Sequence, residues 1–308
     1  MERQKIFPVL FAVLLAAAVF LGVYFFVIYR NINYLPDEAL DDLCQILEED
    51  GILLDKNLVP LKKETGTVYV SADGEYASST AMKLGESNIK YRFAVPDGEV
   101  ILLENGGMCE FRSDFYFRYR LDREKEYTDG TIADGYDGSM TPMHPDAASK
   151  PCETAKAFLE KGSSEFDKQP FRLATEVNRV WEKDGIYYVE CVRTIDGEII
   201  KENRTVCVVS EGLVIEAVGT WCFPGMGESY FSQLTDIFNI LFSVKKEIDG
   251  LRESEDVGKV SVKAIDRCYT LYDLGADRGI CFIPCWRIVT DVCGIFIYNA
   301  VDGTLCTE

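Results

Sequence analysis

The stretch Ala174–Thr220, ATEVNRVWEKDGIYYVECVRTIDGEIIKENRTVCVVSEGLVIEAVGT, decides the fold. Four runs rich in β-branched and aromatic residues stand in it: Ala174 to Trp181, Ile186 to Arg193, Thr205 to Val209 and Leu213 to Thr220. Between them lie Lys183-Asp184-Gly185, Asp196-Gly197 and Glu211-Gly212, steps that supply the positive φ angles of tight hairpins. Successive strands most simply pair with their neighbours, so this stretch predicts an antiparallel meander.

Working outward, Glu153 to Lys161 reads as a short helix before the meander, and Ser229 to Ile248 as a longer one after it. In the latter Phe231, Leu234, Ile237, Phe238 and Leu241 share a face, with Ser229 available as a cap. Val260 to Ile265, Gly279 to Ile283, Trp286 to Thr290 and Ile295 to Asn299 read as closing strands. In the first half, Asp37 to Asp50 carries Leu40, Leu43, Cys44 and Leu47 at helical spacing and stops at Gly51. Strand-like runs follow, Gly66 to Ala72, Ile89 to Val95 and Val100 to Leu103, with Pro96-Asp97-Gly98 as a turn. Residues 126–150 hold three Asp-Gly steps plus Pro142 and Pro145 and read as an irregular loop between two subdomains, 31–125 and 151–308. Arg92-Phe93-Ala94-Val95, Arg179-Val180-Trp181 and Arg287-Ile288-Val289 each precede a tight turn, a pattern that a true repeat and ordinary hairpins both produce.

Residues 1–30 are of different composition. Ile6 to Tyr29 runs 24 residues without a charge, long enough for a bilayer core of roughly 30 Å. No small-residue cleavage site follows, so the stretch reads as an uncleaved single-pass anchor. Arg3 and Lys5 precede it and only Arg30 follows before a run of acids, which keeps the N-terminus cytoplasmic and places 31–308 outside. Ala12 and Ala16, and Ala18 and Gly22, stand four apart and are candidate contacts for another transmembrane helix.

Composition narrows the function classes. With 32 Lys or Arg against 51 Asp or Glu the net charge is −19, which argues against nucleic acid and anionic lipid headgroups as partners. The single histidine, His144, sits in a Pro-rich loop and offers no base to a Ser or Cys nucleophile. Eleven cysteines can make up to five disulfides in an oxidising compartment, or stay as buried thiols. Cys281 and Cys285 bracket Phe282, Ile283 and Pro284, which reads as strand rather than zinc knuckle, and the Asp-Gly cluster lacks the ligand spacing of a calcium loop. Acidic pairs such as Asp41 and Asp42 read as a solvated helix face. Asn203-Arg204-Thr205 matches a glycosylation acceptor, a match common by chance. No phosphate-binding glycine loop occurs, and no cofactor, metal or small-molecule substrate is expected.

Ile46-Leu47-Glu48-Glu49-Asp50-Gly51-Ile52 running into Leu58-Val59-Pro60, and the C-terminal Ile283-Pro284-Cys285-Trp286-Arg287-Ile288 closing with Tyr298-Asn299-Ala300-Val301-Asp302-Gly303, resemble the YycI and YycH-type regulatory proteins. The resemblance implies an α+β fold: a single N-terminal transmembrane helix, then helices packed on antiparallel sheets in two PepSY-like subdomains. It also implies a non-enzymatic role, restraint of a membrane sensor histidine kinase of the WalK (YycG) kind, with a paralogous regulator as a second partner. Pro284, Trp286, Ile288, Tyr298 and Gly303 are the residues on which the C-terminal hairpin is expected to depend. An envelope structural or binding protein with no kinase partner is the alternative, and an exported enzyme built on paired carboxylates is a third class.

Overall fold

The computed structural model describes residues 15, 17–26, 34–62, 65–71, 77–125, 140–164, 171–254, 257–273 and 280–306, without the side chains of 226–231. The described residues are mostly β, 47% strand and 30% helix, which corrects the α+β expectation. The physical reason lies in strand length and number. Runs read as short strands extend into β10 (Glu198–Ser210), β13 (Val260–Asp273) and β14 (Ile280–Thr290), and Met108–Arg112, Tyr116–Arg120 and Pro224–Gln233 add strands that the sequence reading missed.

The expected transmembrane helix is also overturned. Within the N-terminal apolar run Leu15 and Ala17–Phe26 are helical and exposed. No helix among the described residues is long and apolar enough to cross a membrane, so single-pass anchoring with an extracytoplasmic remainder is not supported. Ala12 and Ala16 lie outside the described residues, as do the Asp-Gly steps at 129, 134 and 137.

Two compact units divide the chain, and each draws on discontinuous segments. The first takes 1–66, 231–266 and 286–308. Its helix α1 (Asp37–Glu49) buries Leu40, Leu43 and Leu47 and is closed by Gly51 at φ 74°, the left-handed position favoured after a helix end. Arg252 donates to the exposed end of that helix, Nη1 to the Asp50 carbonyl at 2.6 Å. β1 (Ile52–Leu53) pairs in parallel with the start of β13. The α-helix of 237–254 begins later than the sequence implied: Asp236 accepts from the Phe238 amide at 2.9 Å and caps it, while Ser229 lies within β12 (Pro224–Gln233). Ile240, Leu241, Val244 and Ile248 of this helix pack with Trp286, Ile288, Tyr298 and Ala300 into one core.

The second unit, 67–230 and 267–285, holds a curled sheet of ten strands in the order β12-β2-β14-β13-β10-β11-β6-β5-β4-β3. Here β2 is Thr65–Ser71, β3 Ile89–Val95, β4 Gly98–Leu103, β5 Met108–Arg112, β6 Tyr116–Arg120 and β11 Leu213–Thr220. From β10 the chain of pairings also runs through β9 (Ile186–Ile195) and β8 (Leu173–Lys183) to β7 (Thr141–Met143). The meander of the opening stretch is therefore present, β8-β9-β10-β11 all antiparallel, with Asp184, Asp196 and Glu211 at φ near 50° and glycine next in each turn. β10 bulges between Ile199 and Arg204. At that bulge Asn203 donates to the Cys222 carbonyl at 2.5 Å and Glu202 accepts from the Leu271 amide at 3.1 Å.

Alternation along the strands gives the sheet two faces. Ile101, Cys109, Tyr119, Ala217, Cys207 and Cys191 face one way and form a core with the helices Ala77–Gly85, called α2, and Ser149–Gly162, called α3. Val206, Val208 and Val218 point the other way and cluster with Tyr188, Trp181 and Met140, among which no residue of a described helix occurs.

Candidate interaction site

The helix-free face is built from two cross-strand ladders that the register fixes. One runs Tyr91, Leu102, Met108, Arg120, Glu216, Val208 and Tyr188; its neighbour runs Phe93, Val100, Glu110, Arg118, Val218, Val206 and Glu190. Both ladders change character along their length. At the inner end Glu216 is fully buried and accepts from Arg118 Nε at 2.7 Å, with Arg120 Nε at 3.6 Å on its other side. Two guanidiniums around one carboxylate satisfy the group that burial would otherwise penalise. Asn178 donates to buried Glu190. In the middle Val100, Leu102 and Met108 are half-buried.

At the outer end the ladders finish on exposed aromatics. Tyr91 is 56% and Phe93 49% exposed, their rings 6.2 Å apart at a 42° tilt, on a strand that among the described residues has a neighbour on one side only. Between them, on the opposite face, Arg92 Nε donates to Glu99 at 3.0 Å, and the Lys90 ammonium lies 5.7 Å from the Tyr91 ring centroid. Residues 89–120 carry five basic and five acidic side chains, so this four-stranded wing is neutral in a chain of net charge −19. Exposed aromatics gathered on an edge strand mark a contact surface more often than a scattered surface residue does.

The residues singled out from sequence fall elsewhere. Ala18 and Gly22 lie in the exposed helical stretch, and a Cβ at Gly22 would meet nothing within 4 Å. Trp286, Ile288 and Tyr298 are core residues of the first unit. Trp286 Nε1 donates to the Thr235 carbonyl at 3.2 Å, and burial pushes the Tyr298 phenol up. Gly303 takes φ 78° in the closing turn, and Pro284 is buried within β14, in the second unit. These side chains hold the fold and present no shared surface. His144 is exposed and accepts from the Asp146 amide at 3.4 Å. Asn203 is 1% exposed within β10, so the acceptor pattern there is buried strand rather than a modification site. Eight of the eleven cysteines are buried, and burial drives the thiols of Cys109, Cys207 and Cys222 well above the ordinary range. Among the described residues no group of three or more His, Cys, Asp or Glu side chains could hold a metal ion.

Sequence reading missed Tyr91 and Phe93 as a site. The signal was present in Lys90-Tyr91-Arg92-Phe93, where cations and large aromatics alternate so that a strand has no face of ordinary aliphatic core residues.

No family model and no curated protein matches this sequence. Among solved structures the chain is similar to an uncharacterized protein from Eubacterium rectale ATCC 33656, at 12% identity and a TM-score of 0.48, over 84% of this chain and 91% of that one.

Proposed function

We propose that this protein is a non-enzymatic regulator that acts by protein–protein contact through the helix-free face of its ten-strand sheet. The observation that carries the reading is the pair Tyr91 and Phe93, exposed together on an edge strand of a neutral wing. Covering each ring would contribute about 1.5–3 kcal/mol of apolar burial, enough together to anchor a partner. The neutral wing lets that partner approach without the repulsion that the acidic remainder would exert on another acidic protein. Farther along the same two ladders, beyond β4 and β5, the buried Arg118-Glu216-Arg120 group holds its charges against one another.

The partner follows from the resemblance of the two chain ends to YycI and YycH-type proteins: a sensor histidine kinase, biased between two states by differential affinity. The test is an autophosphorylation assay on the cell-wall sensor histidine kinase of the source organism. The full chain is added as such and as the double variant Tyr91→Asp with Phe93→Asp. The proposal predicts a several-fold change in rate with the unaltered chain and none with the variant. An unchanged rate with both rejects the kinase as partner, and a variant that still acts rejects this face.

A further inference from the structure

Among the described residues β3 ends the ten-strand path and pairs only with β4. In an antiparallel pair the N–H and C=O groups of alternate residues point to the neighbour and those of the others point away. The register with β4 shifts between Ile89 and Tyr91, and over the regular stretch from Tyr91 to Val95 the second set faces outward. We propose that β3 takes up an extended segment of a partner protein as an added strand, with apolar residues beside Tyr91 and Phe93 and acidic residues beside Lys90 and Arg92. This rests on the reading of the helix-free face as a contact surface and goes further by naming the form and chemistry of the segment that docks there.

Three observations favour an acidic-apolar strand over other occupants. A helix laid on the two rings would leave the outward backbone groups of β3 unmatched, whereas a strand completes the ladder and meets side chains on both faces. Lys90 and Arg92, both exposed, are the only charges on β3; Arg92 already meets Glu99 of β4, so the Lys90 ammonium is the charge that an acidic position on the incoming strand complements. A second copy of this chain would set Lys90 and Arg92 against Lys90 and Arg92 on antiparallel self-pairing, and bring together two molecules of net charge −19. Basic residues on an edge strand guard it against self-association, and the same charges select an acidic partner.

The probe is a labelled heptapeptide of alternating valine and glutamate, titrated against the full chain and followed by fluorescence anisotropy. Beside it stand a block-ordered peptide of the same composition and two backbone-methylated forms, one methylated at every valine nitrogen and one at every glutamate nitrogen. Along a strand all valine amides point to one side and all glutamate amides to the other, so only one set can bond to β3. Strand addition predicts binding at least tenfold tighter than that of the block-ordered peptide, a loss of at least tenfold in one methylated form only, and loss of binding with Phe93→Asp. Equal binding of all four peptides, equal loss in both methylated forms, absence of binding, or binding that Phe93→Asp leaves intact would each overturn it. The kinase assay reads the contact face independently, so a failed peptide with a kinase effect that still depends on Tyr91 and Phe93 rejects strand addition alone.

Discussion

Arg193 shows what a single residue holds in this fold. It is 2% exposed on β9, and among the described residues no carboxylate is hydrogen-bonded to its guanidinium. Instead Nη2 donates to the Leu159 carbonyl at 2.9 Å, in the last turn of α3, and Nη1 to Ser163 at 3.4 Å and to Thr175. Trp221 and Phe223 flank it, with ring centroids 5.2 and 5.4 Å from the guanidinium carbon. The negative end of the helix and the two ring faces therefore stand in for a counter-ion. Burial pushes its pKa down to about 10, so it remains charged at neutral pH. Arg193→Met removes the donor to the buried Thr175 hydroxyl and one donor to the Leu159 carbonyl, which keeps the Ser163 amide at 3.2 Å, and should destabilise the protein by about 1–3 kcal/mol, read as a lower urea midpoint at unchanged slope. A loss below about 1 kcal/mol would show that the cation is not what closes α3. Nothing in local spacing revealed this role, because its partners lie 18 to 34 positions away in sequence.

At the scale of elements, legibility followed how local the cause was. The hairpins of the 174–220 meander and the stop of α1 at Gly51 were readable because a dipeptide with positive φ fixes each of them. The short helix α2 was not, since Ala77-Ser78-Ser79-Thr80 has low helix propensity and forms against the sheet, with Ala81 and Leu84 buried in its core. The candidate site was missed for a related reason: edge position is a property of strand order, and strand order is set by long-range pairing. The apolar pattern of the C-terminal hairpin places Trp286, Ile288 and Tyr298 in a core and says nothing of a surface. Close strand approach gives a test at this scale. A Cβ on Gly219 of β11 would sit 2.2 Å from the Arg204 carbonyl oxygen and 2.6 Å from the Thr205 Cα, both backbone atoms of β10. Gly219→Ala should cost about 2–4 kcal/mol in a thermal or denaturant melt, whereas Gly197→Ala, with nothing within 4 Å but φ 90°, should cost only about 1 kcal/mol of backbone strain. Equal costs would contradict the register given for β10 and β11.

Over the whole molecule, buried acids and bases set a pH dependence whose sign is fixed. Burial raises the thiols of Cys109, Cys207 and Cys222 above 9.0 and the phenols of Tyr119, Tyr269 and Tyr298 above 10.0. The unfolded chain then loses these protons first, so their contribution is fully present below pH 9 and declines as the pH rises through and beyond 9 to 10. Arg193 acts in the opposite sense, but only above about pH 10. Urea midpoints should accordingly fall between neutral pH and about pH 11, with the loss starting near pH 9; a flat profile would contradict the burial of these groups.

The most direct measurement of the central claim is photo-crosslinking in living cells from a benzophenone side chain placed at position 91, at position 93 and, as a control, at the exposed Leu213 of β11. Contact through the wing predicts one discrete crosslinked protein, a sensor histidine kinase, from positions 91 and 93 and none from 213. The same product from all three positions, or none from 91 and 93, would contradict a binding face at the free edge of the sheet.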